Sequence, residues 1–240
     1  MCKIIFSPCK EMLAKKGQEQ PVLSALTLEI IDKIEHLTEA QLQELFKISP
    51  QLAQQVYRDY QQIKLHTALP AYQIYQGLAY RQIKWDKLDL SWADDHFIIL
   101  SALYGPIQPL TPINPYRLDL TIPLKIEDTS LRSLWKAQVN QLLKKQTIIN
   151  LASKEFASLI DPLQVRLINI EFYQDKKHNK KAPSAIAKKL RGCLANHLMV
   201  NQSTQASVLE NFTAFDYVFT SYDPKSLTYT YQLKKEQSKF

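Results

Sequence analysis

LSALYGPIQPLTPINPYRLDL, residues 100–120, is the segment from which the rest of this chain is best understood. It leaves an apolar run, turns at Gly105-Pro106 and carries a proline at every third position up to Pro115. Because each proline fixes its own φ, such a loop is stiff before a ligand arrives, and stiffness lowers the ordering cost of binding. The segment delivers Tyr116 and Arg117, which are therefore candidate binding residues. A structural crossover in which they only pack and pair is the alternative.

Apolar strands and amphipathic helices alternate along the chain, which predicts an α/β fold. Lys3–Ser7 and residues 147–152 are short apolar runs typical of buried strands, and a helical stripe precedes the second run, which implies a parallel crossover. Residues 85–95 are predicted as one helix leading into a strand. Two late strands joined through residues 223–225 predict an antiparallel edge hairpin. We expect a mixed central sheet flanked by helices.

No linker, repeat or low-complexity tract divides the chain, so residues 1–240 are predicted to form a single domain. The three cysteines are widely spaced and lack a Cys-x-x-Cys pair, which is typical of a reducing compartment. No apolar run approaches the roughly 20 residues that a membrane span needs. We therefore expect a soluble, cytoplasmic protein with no membrane partner.

A helical hairpin is predicted near residues 38–57. Thr38 and Gln41 form a capping box, and Ser49-Pro50 provides a second helix start. Two short helices joined in this way resemble a helix-hairpin-helix, in which amides of the turn face DNA phosphates. Lys47 and Ser49 are then possible DNA contacts. The usual hairpin glycine is missing, so we expect a modest contribution, and an ordinary hairpin packed on the sheet explains the same periodicity.

Polar residues follow two of the predicted parallel strands, where α/β sheets commonly bind ligands. Lys10 follows the first strand and is placed to present an ammonium to a phosphate or carboxylate, unless it is an ordinary surface lysine. Asn150, Ser153 and Glu155 follow another strand end. Ser153 is also predicted to cap the next helix, with Glu155 interacting with its dipole. The two roles are compatible.

Basic residues concentrate in residues 176–191, within a chain of net charge +7. A helix is predicted from about Ser184. Lys188 and Lys189 project away from its apolar stripe, and Arg191 lies on the margin of that stripe. These residues are candidates for binding DNA or another anion, although a solvated charged face is the alternative. Four residues from distant segments are expected around one cleft: Lys10, Arg117, Asn150 and Arg191.

Cofactor and metal sites are not recognisable in the sequence. The five histidines show no His-x-x-x-His spacing and no pairing with cysteines. The only glycines, Gly17, Gly77, Gly105 and Gly192, exclude G-x-G-x-x-G and P-loop motifs. We therefore predict no cofactor and no metal. For residues 94–96, Asp-Asp-His, an acidic helix end is preferred over a divalent-ion site.

The central segment closely resembles the LSGLYG...RPL...PYRLEM signature of the bacterial YaaA family of peroxide-stress proteins. Three further motifs occur in the order expected for that family: SPCK at residues 7–10, NLASKE at 150–155 and AKKLRG at 187–192. The low glycine content makes the chain resemble a diverged member. The resemblance implies the family's α/β fold, a positively charged cleft, binding of double-stranded DNA and a role in limiting iron-driven (Fenton) damage, hence in iron homeostasis.

Two functions remain open at this point. The first is a cytoplasmic DNA-binding protein of the oxidative-stress response, with no enzymatic activity required. Its binding is expected to be largely independent of DNA sequence and to fall steeply with salt. The second is an enzyme acting on a phosphorylated or nucleobase-containing small molecule in a basic cleft, although no catalytic motif is recognisable. Residues that enclose a pocket would favour the small anionic ligand, and an open groove would favour the duplex.

Overall fold

A computed structural model describes residues 2–234. The strands are β1 (Cys2–Phe6), β2 (Leu69–Pro70), β3 (Phe97–Ser101), β4 (Gly105–Ile107), β5 (Pro112–Ile113), β6 (Lys125–Ile126), β7 (Thr129–Ser130), β8 (Thr147–Asn150), β9 (Arg166–Asp175), β10 (Lys180–Lys181), β11 (Thr213–Ala214), β12 (Tyr217–Asp223) and β13 (Thr228–Leu233). The α-helices are α1 (Ala25–Glu35), α2 (Glu39–Phe46), α3 (Pro50–Gln62), α4 (Ala71–Ile74), α5 (Leu90–His96), α6 (Leu131–Leu143), α7 (Lys154–Ala157), α8 (Ser184–Val200) and α9 (Ala206–Glu210).

The central sheet is mixed and has the strand order β11-β12-β13-β9-β8-β1-β3-β4, with β10 paired to β9. Its middle strands, from β13 to β3, are parallel, and antiparallel pairs lie at both ends. Parallel strands require cover on both faces, and helices flank this sheet. The predicted mixed sheet and parallel crossover are therefore confirmed. The predicted antiparallel hairpin of β12 and β13 also forms, but the short strand β11 pairs outside it and is the edge of the sheet.

The strands β1 and β8 form the centre of the core. Ile4 is fully buried and pairs with Ile149 of β8 on one side and Phe97 of β3 on the other. Beyond the regular strands, the Leu151 N–H still donates to the Ile5 carbonyl at 3.0 Å. Because parallel neighbours end at the same sheet edge, the loops that follow β1 and β8 lie side by side.

The helical hairpin forms as predicted. The Thr38–Gln41 capping box is present, and the Ser49 hydroxyl accepts from the Leu52 N–H at 3.3 Å. Lys47 ends α2 in the left-handed conformation, with φ 52°, the backbone state that a glycine adopts most easily. The chain thus makes the turn without a glycine by placing a lysine in that conformation.

The central loop is pinned to its surroundings as well as stiffened by prolines. The buried amide of Asn114 donates to the carbonyls of Ile63 and His66, each at 2.8 Å. Gly105 has φ +75° and lies against Trp135, so close that an added Cβ would be 2.3 Å from the ring. The Trp135 indole N–H in turn donates to the Ala102 carbonyl at 2.8 Å. Only glycine fits this turn.

Helix α8 packs unusually close to the segment around Ala79. Its buried side carries Leu190, Leu194 and Leu198, as the spacing predicts. An added Cβ on Gly192 would lie 2.0 Å from the Ala79 carbonyl oxygen, so this contact requires a glycine. The close approach fixes the rotation of α8 and therefore the direction in which its charged residues point.

The prediction of one helix over residues 85–95 is wrong. Trp85–Lys87 forms a single 3₁₀ turn, and α5 begins separately at Leu90. The cause is Asp89, whose carboxylate accepts from the Ser91 and Trp92 N–H groups and so starts a new helix. Across residues 2–234, no helix combines the length and apolar composition needed to cross a bilayer.

Candidate functional site

A cleft of about 450 Å³ opens where β1 and β8 end. Its lining includes seven of the candidate residues derived from the sequence: Lys10, Tyr116, Arg117, Ser153, Glu155, Lys188 and Arg191. They come from the loop after β1, the central loop, the segment that leads from β8 into α7, and helix α8. The structure thus brings together residues from four distant motifs, and "the cleft" below means this cavity.

Asn150 and Lys189 lie outside the lining of the cleft, as do the two candidates of the helical hairpin. The amide of Asn150 donates to Asn169 at 3.2 Å and its oxygen accepts from the Ala152 N–H, so it braces two strand ends. The Lys189 ammonium lies 5.7 Å from the centroid of the Phe215 ring. The expectation that Asn150 lines the same cleft as Lys10 is therefore wrong, because its polar atoms bond along the sheet.

Lys10 is paired at the cleft. Its ammonium lies 2.8 Å from Asp119 Oδ2. Burial alone would raise the pKa of Asp119, but hydrogen bonds from Lys10 and from Thr121 outweigh burial and lower it. Asp119 therefore stays ionised and offsets the positive charge that Lys10 would otherwise offer to an anion.

Glu155 is held by the central loop. Its Oε1 accepts from the Leu120 N–H at 2.9 Å. Burial raises the pKa of Glu155; this hydrogen bond opposes the shift, whereas the negative charge of Asp119 adds to it. The carboxylate is thus less stable in its charged form than an ordinary surface glutamate.

Ser153 occupies the start of α7 but does not cap it with its side chain. Instead the Ser7 hydroxyl accepts from the Ser153 N–H at 2.8 Å and donates to the Ser153 hydroxyl at 3.2 Å. The predicted side-chain cap is therefore wrong. Because β1 and β8 are neighbours, Ser7 after the first strand reaches both the amide and the hydroxyl of Ser153 after the second, so the Ser153 hydroxyl is engaged outside α7.

Three cations of the cleft have no anionic partner: Arg117, Lys188 and Arg191 belong to no ion pair within residues 2–234. Lys188 is exposed, whereas Arg191 is largely buried. The Arg191 Nε is fully buried and makes no hydrogen bond to the described residues. Burial lowers the pKa of Arg191, which still leaves the guanidinium charged at neutral pH. The cleft therefore carries uncompensated positive charge.

Cys9 lies in the cleft as a protonated thiol. Its sulfur accepts from the Gly77 N–H at 3.1 Å and donates to the Glu11 carbonyl at 3.0 Å. Burial raises the pKa of Cys9 to about 11, and the backbone hydrogen bonds oppose this only in part. Since the thiolate is the nucleophile, this environment does not activate Cys9.

Buried tyrosines donate hydrogen bonds to the backbone of residues that line the cleft, a role that was not predicted from the sequence. The Tyr80 hydroxyl donates to the Ser7 carbonyl at 2.9 Å, and the Tyr60 hydroxyl donates to the Arg117 carbonyl at 3.3 Å. Tyr116 also lines the cleft, but its hydroxyl accepts from Ser101 at 2.8 Å and is therefore already engaged. No periodicity signals these contacts, because they link residues from separate elements.

A second cavity of about 560 Å³ adjoins the cleft and runs beside α3. The two cavities share Lys10, Met12, Tyr116 and Arg117. We call the second cavity the groove. Its polar lining further includes Lys15, Lys16, Gln55, Arg58, Asp59 and His66. The hairpin residues Lys47 and Ser49 line neither cavity.

One group of possible metal ligands occurs among the described residues. Asp32, Glu35 and His36 place ligand atoms within 4.8 Å of one another at the end of α1. Glu35 is already paired with Lys64 at 2.7 Å, and exposed acidic groups of this kind are common without an ion. In residues 94–96, the Asp94 carboxylate accepts from the Leu110 N–H at 2.7 Å and therefore holds the central loop in place.

Comparison with known proteins places the chain in a family. The family of the peroxide stress protein YaaA matches residues 2–222. The UPF0246 protein of Streptococcus pneumoniae strain P1031 is 32% identical over 231 residues, covering 92% of each chain. The UPF0246 protein of strain Hungary19A-6 has the same identity and coverage. This chain therefore belongs to the YaaA family, and membership supports a role in peroxide stress.

Proposed function

We propose that this protein binds double-stranded DNA along the cleft and the groove and thereby limits Fenton damage during peroxide stress. One observation carries the proposal: the two cavities share Lys10 and Arg117, so they form one continuous depression. Cations from the N-terminal loop, α3, the central loop and α8 line it. A continuous row of cations is what the phosphate backbone of a duplex requires.

The lining favours contacts to phosphates over contacts to bases. Most of the charged residues that line the groove are lysines or arginines, which pair with phosphates. Its lining has two glutamines, Gln55 and Gln62, a residue type that can read base edges. Cations held near phosphates act through counterion release, which is independent of sequence. Binding is therefore expected to distinguish little between duplexes of different sequence.

Phosphate neutralisation also offers a physical route to peroxide resistance. DNA concentrates cations around its phosphates, and a protein that neutralises phosphates displaces them. Ferrous iron displaced in this way would produce hydroxyl radicals away from the bases. This mechanism requires no iron ligand in the protein.

The test compares two triple variants of equal charge. Lys15→Ala/Lys16→Ala/Arg58→Ala removes cations of the groove, and Lys136→Ala/Lys144→Ala/Lys225→Ala removes three cations that line neither cavity. We expect the groove variant to bind a short duplex at least about tenfold more weakly at moderate salt, and the control to bind as wild type. The wild type, but not the groove variant, should reduce nicking of plasmid DNA by ferrous iron and peroxide. Equal affinities for the two variants would refute the proposal.

A further inference from the structure

The cleft carries positive charge that the protein itself does not neutralise. Lys10 is matched by Asp119, but Lys188 and Arg191 have no anionic partner in the described chain. They lie three positions apart on α8, so their side chains share one face of the helix, and both line the cleft. Two adjacent, unmatched cations in a cavity indicate an anion supplied from outside.

Arg191 shows where that anion would bind. Its Nε is buried and lacks a hydrogen-bond acceptor among residues 2–234. A buried donor without an acceptor is costly, and each such group in a native protein calls for an explanation. A ligand in the cleft does not reach this buried atom, but an anionic oxygen bound there would pair with the rest of the guanidinium, whose planar donors suit a phosphate in particular.

The remaining walls favour an organic ligand of limited size. Apolar side chains contribute much of the lining: Phe6, Leu78, Leu118, Leu151 and Phe156. A volume of about 450 Å³ lies within the range of small-molecule sites. These apolar walls offer contacts beyond those that a phosphate backbone uses. A ring or short hydrocarbon attached to one anionic group would make such contacts.

We propose that the cleft binds a small organic phosphomonoester, with its phosphate on Arg191 and Lys188 and its body against Phe6 and Phe156. Arg191 and Lys188 together supply two positive charges, which suit the charge of nearly −2 that a phosphomonoester carries at neutral pH better than the single charge of a carboxylate. The site shares the cleft with the proposed DNA function, but the groove cations Lys15, Lys16 and Arg58 take no part in it, so the two functions can be tested separately.

Calorimetric titration of the full chain with phenyl phosphate and with AMP tests the proposal, with phenol and adenosine as phosphate-free controls. Saturable binding of one ligand per chain is expected for at least one phosphorylated probe and for neither control. Lys188→Ala and Arg191→Met should each weaken that binding by about tenfold or more. Lys189→Ala is the matched control, because Lys189 is the next residue of α8 but lies outside the cleft.

The proposal is overturned if neither phosphorylated probe binds at millimolar concentration, if Lys188→Ala binds as wild type, or if Lys189→Ala loses as much affinity as Lys188→Ala. Should Arg191→Met fail to fold, the exposed Lys188 still provides the test. The groove variant Lys15→Ala/Lys16→Ala/Arg58→Ala should keep its affinity for the phosphorylated probe. Loss of duplex binding and loss of ligand binding are therefore distinguishable.

Discussion

The ammonium of Lys10 lies 2.8 Å from the carboxylate of Asp119, which joins the loop after the first strand to the central loop. The Asp119 side chain is 13% exposed and that of Lys10 is 61% exposed. An ion pair with one exposed partner adds little stability. Its larger effect is on charge, because Asp119 cancels a cation at the place where the cleft and the groove meet.

Removing the negative charge of Asp119 should therefore strengthen DNA binding. Asp119→Asn keeps the shape of the side chain but frees the charge of Lys10, and we expect about threefold tighter binding to a duplex at low salt. Lys10→Ala should lose less affinity than Arg117→Ala, since Arg117 has no anionic partner in the described chain. Fluorescence anisotropy measures both. Weaker binding by Asp119→Asn would contradict this assignment.

Glu155 should make stability depend on pH. Burial raises its pKa in the fold, so the stability that it contributes is fully present below the unfolded pKa of about 4.3 and is lost as pH rises through the folded value. Glu155→Gln keeps an acceptor for the Leu120 N–H but never ionises. Its free energy of unfolding should therefore rise relative to wild type between about pH 4 and pH 7. Denaturant unfolding over that range tests this, and a constant difference would count against it.

Tyr116 should matter for stability more than for binding. Its hydroxyl accepts from Ser101 at 2.8 Å and lies 3.0 Å from the Tyr75 hydroxyl, all within the protein. Tyr116→Phe leaves a buried partner unsatisfied and should cost about 1–3 kcal/mol in the free energy of unfolding. Duplex affinity should change less than about twofold. Tyr57→Phe is the control, because Tyr57 is only partly buried. A large loss of DNA affinity without loss of stability would assign the Tyr116 hydroxyl to the ligand.

Cys9 should be a slow nucleophile. With a pKa of about 11, it carries far less thiolate at neutral pH than an unperturbed cysteine. Alkylation by iodoacetamide, followed by mass spectrometry of the Cys9 peptide, should be roughly a hundredfold slower in the folded protein than in denaturant. Rapid alkylation in the fold would instead make Cys9 a candidate peroxide-reactive thiol.

Sequence patterns correctly predicted the features that depend on residues close together in the chain. Thr38 and Ser49 cap their helices because the capping groups lie three residues away. The stripe through Leu190 and Leu194 predicted the buried side of α8, and the strand ends predicted where Lys10 lies. In each case the interaction is fixed by helical or strand geometry alone.

The sequence could not predict the groove or which individual cations line a cavity, because both depend on packing between distant elements. Lys188 and Lys189 are adjacent, yet only Lys188 lines the cleft, since successive residues of a helix point in different directions. Which of the two faces the cleft is set by the contact of Gly192 with Ala79. Ser153 stands at the start of α7, where the sequence predicts a cap, but its hydroxyl accepts from Ser7, which follows the neighbouring strand β1, and does not cap the helix.

The salt dependence of duplex binding tests the central claim most directly. If about four phosphates are neutralised, the slope of log affinity against log salt should be near −3.5, and it should be similar for duplexes of different sequence. Lys15→Ala/Lys16→Ala/Arg58→Ala should flatten the slope by up to about 2.7 units, whereas Lys136→Ala/Lys144→Ala/Lys225→Ala should leave it unchanged. A slope near zero in wild type, or an unchanged slope in the groove variant, would contradict the binding of DNA phosphates along the cleft and the groove.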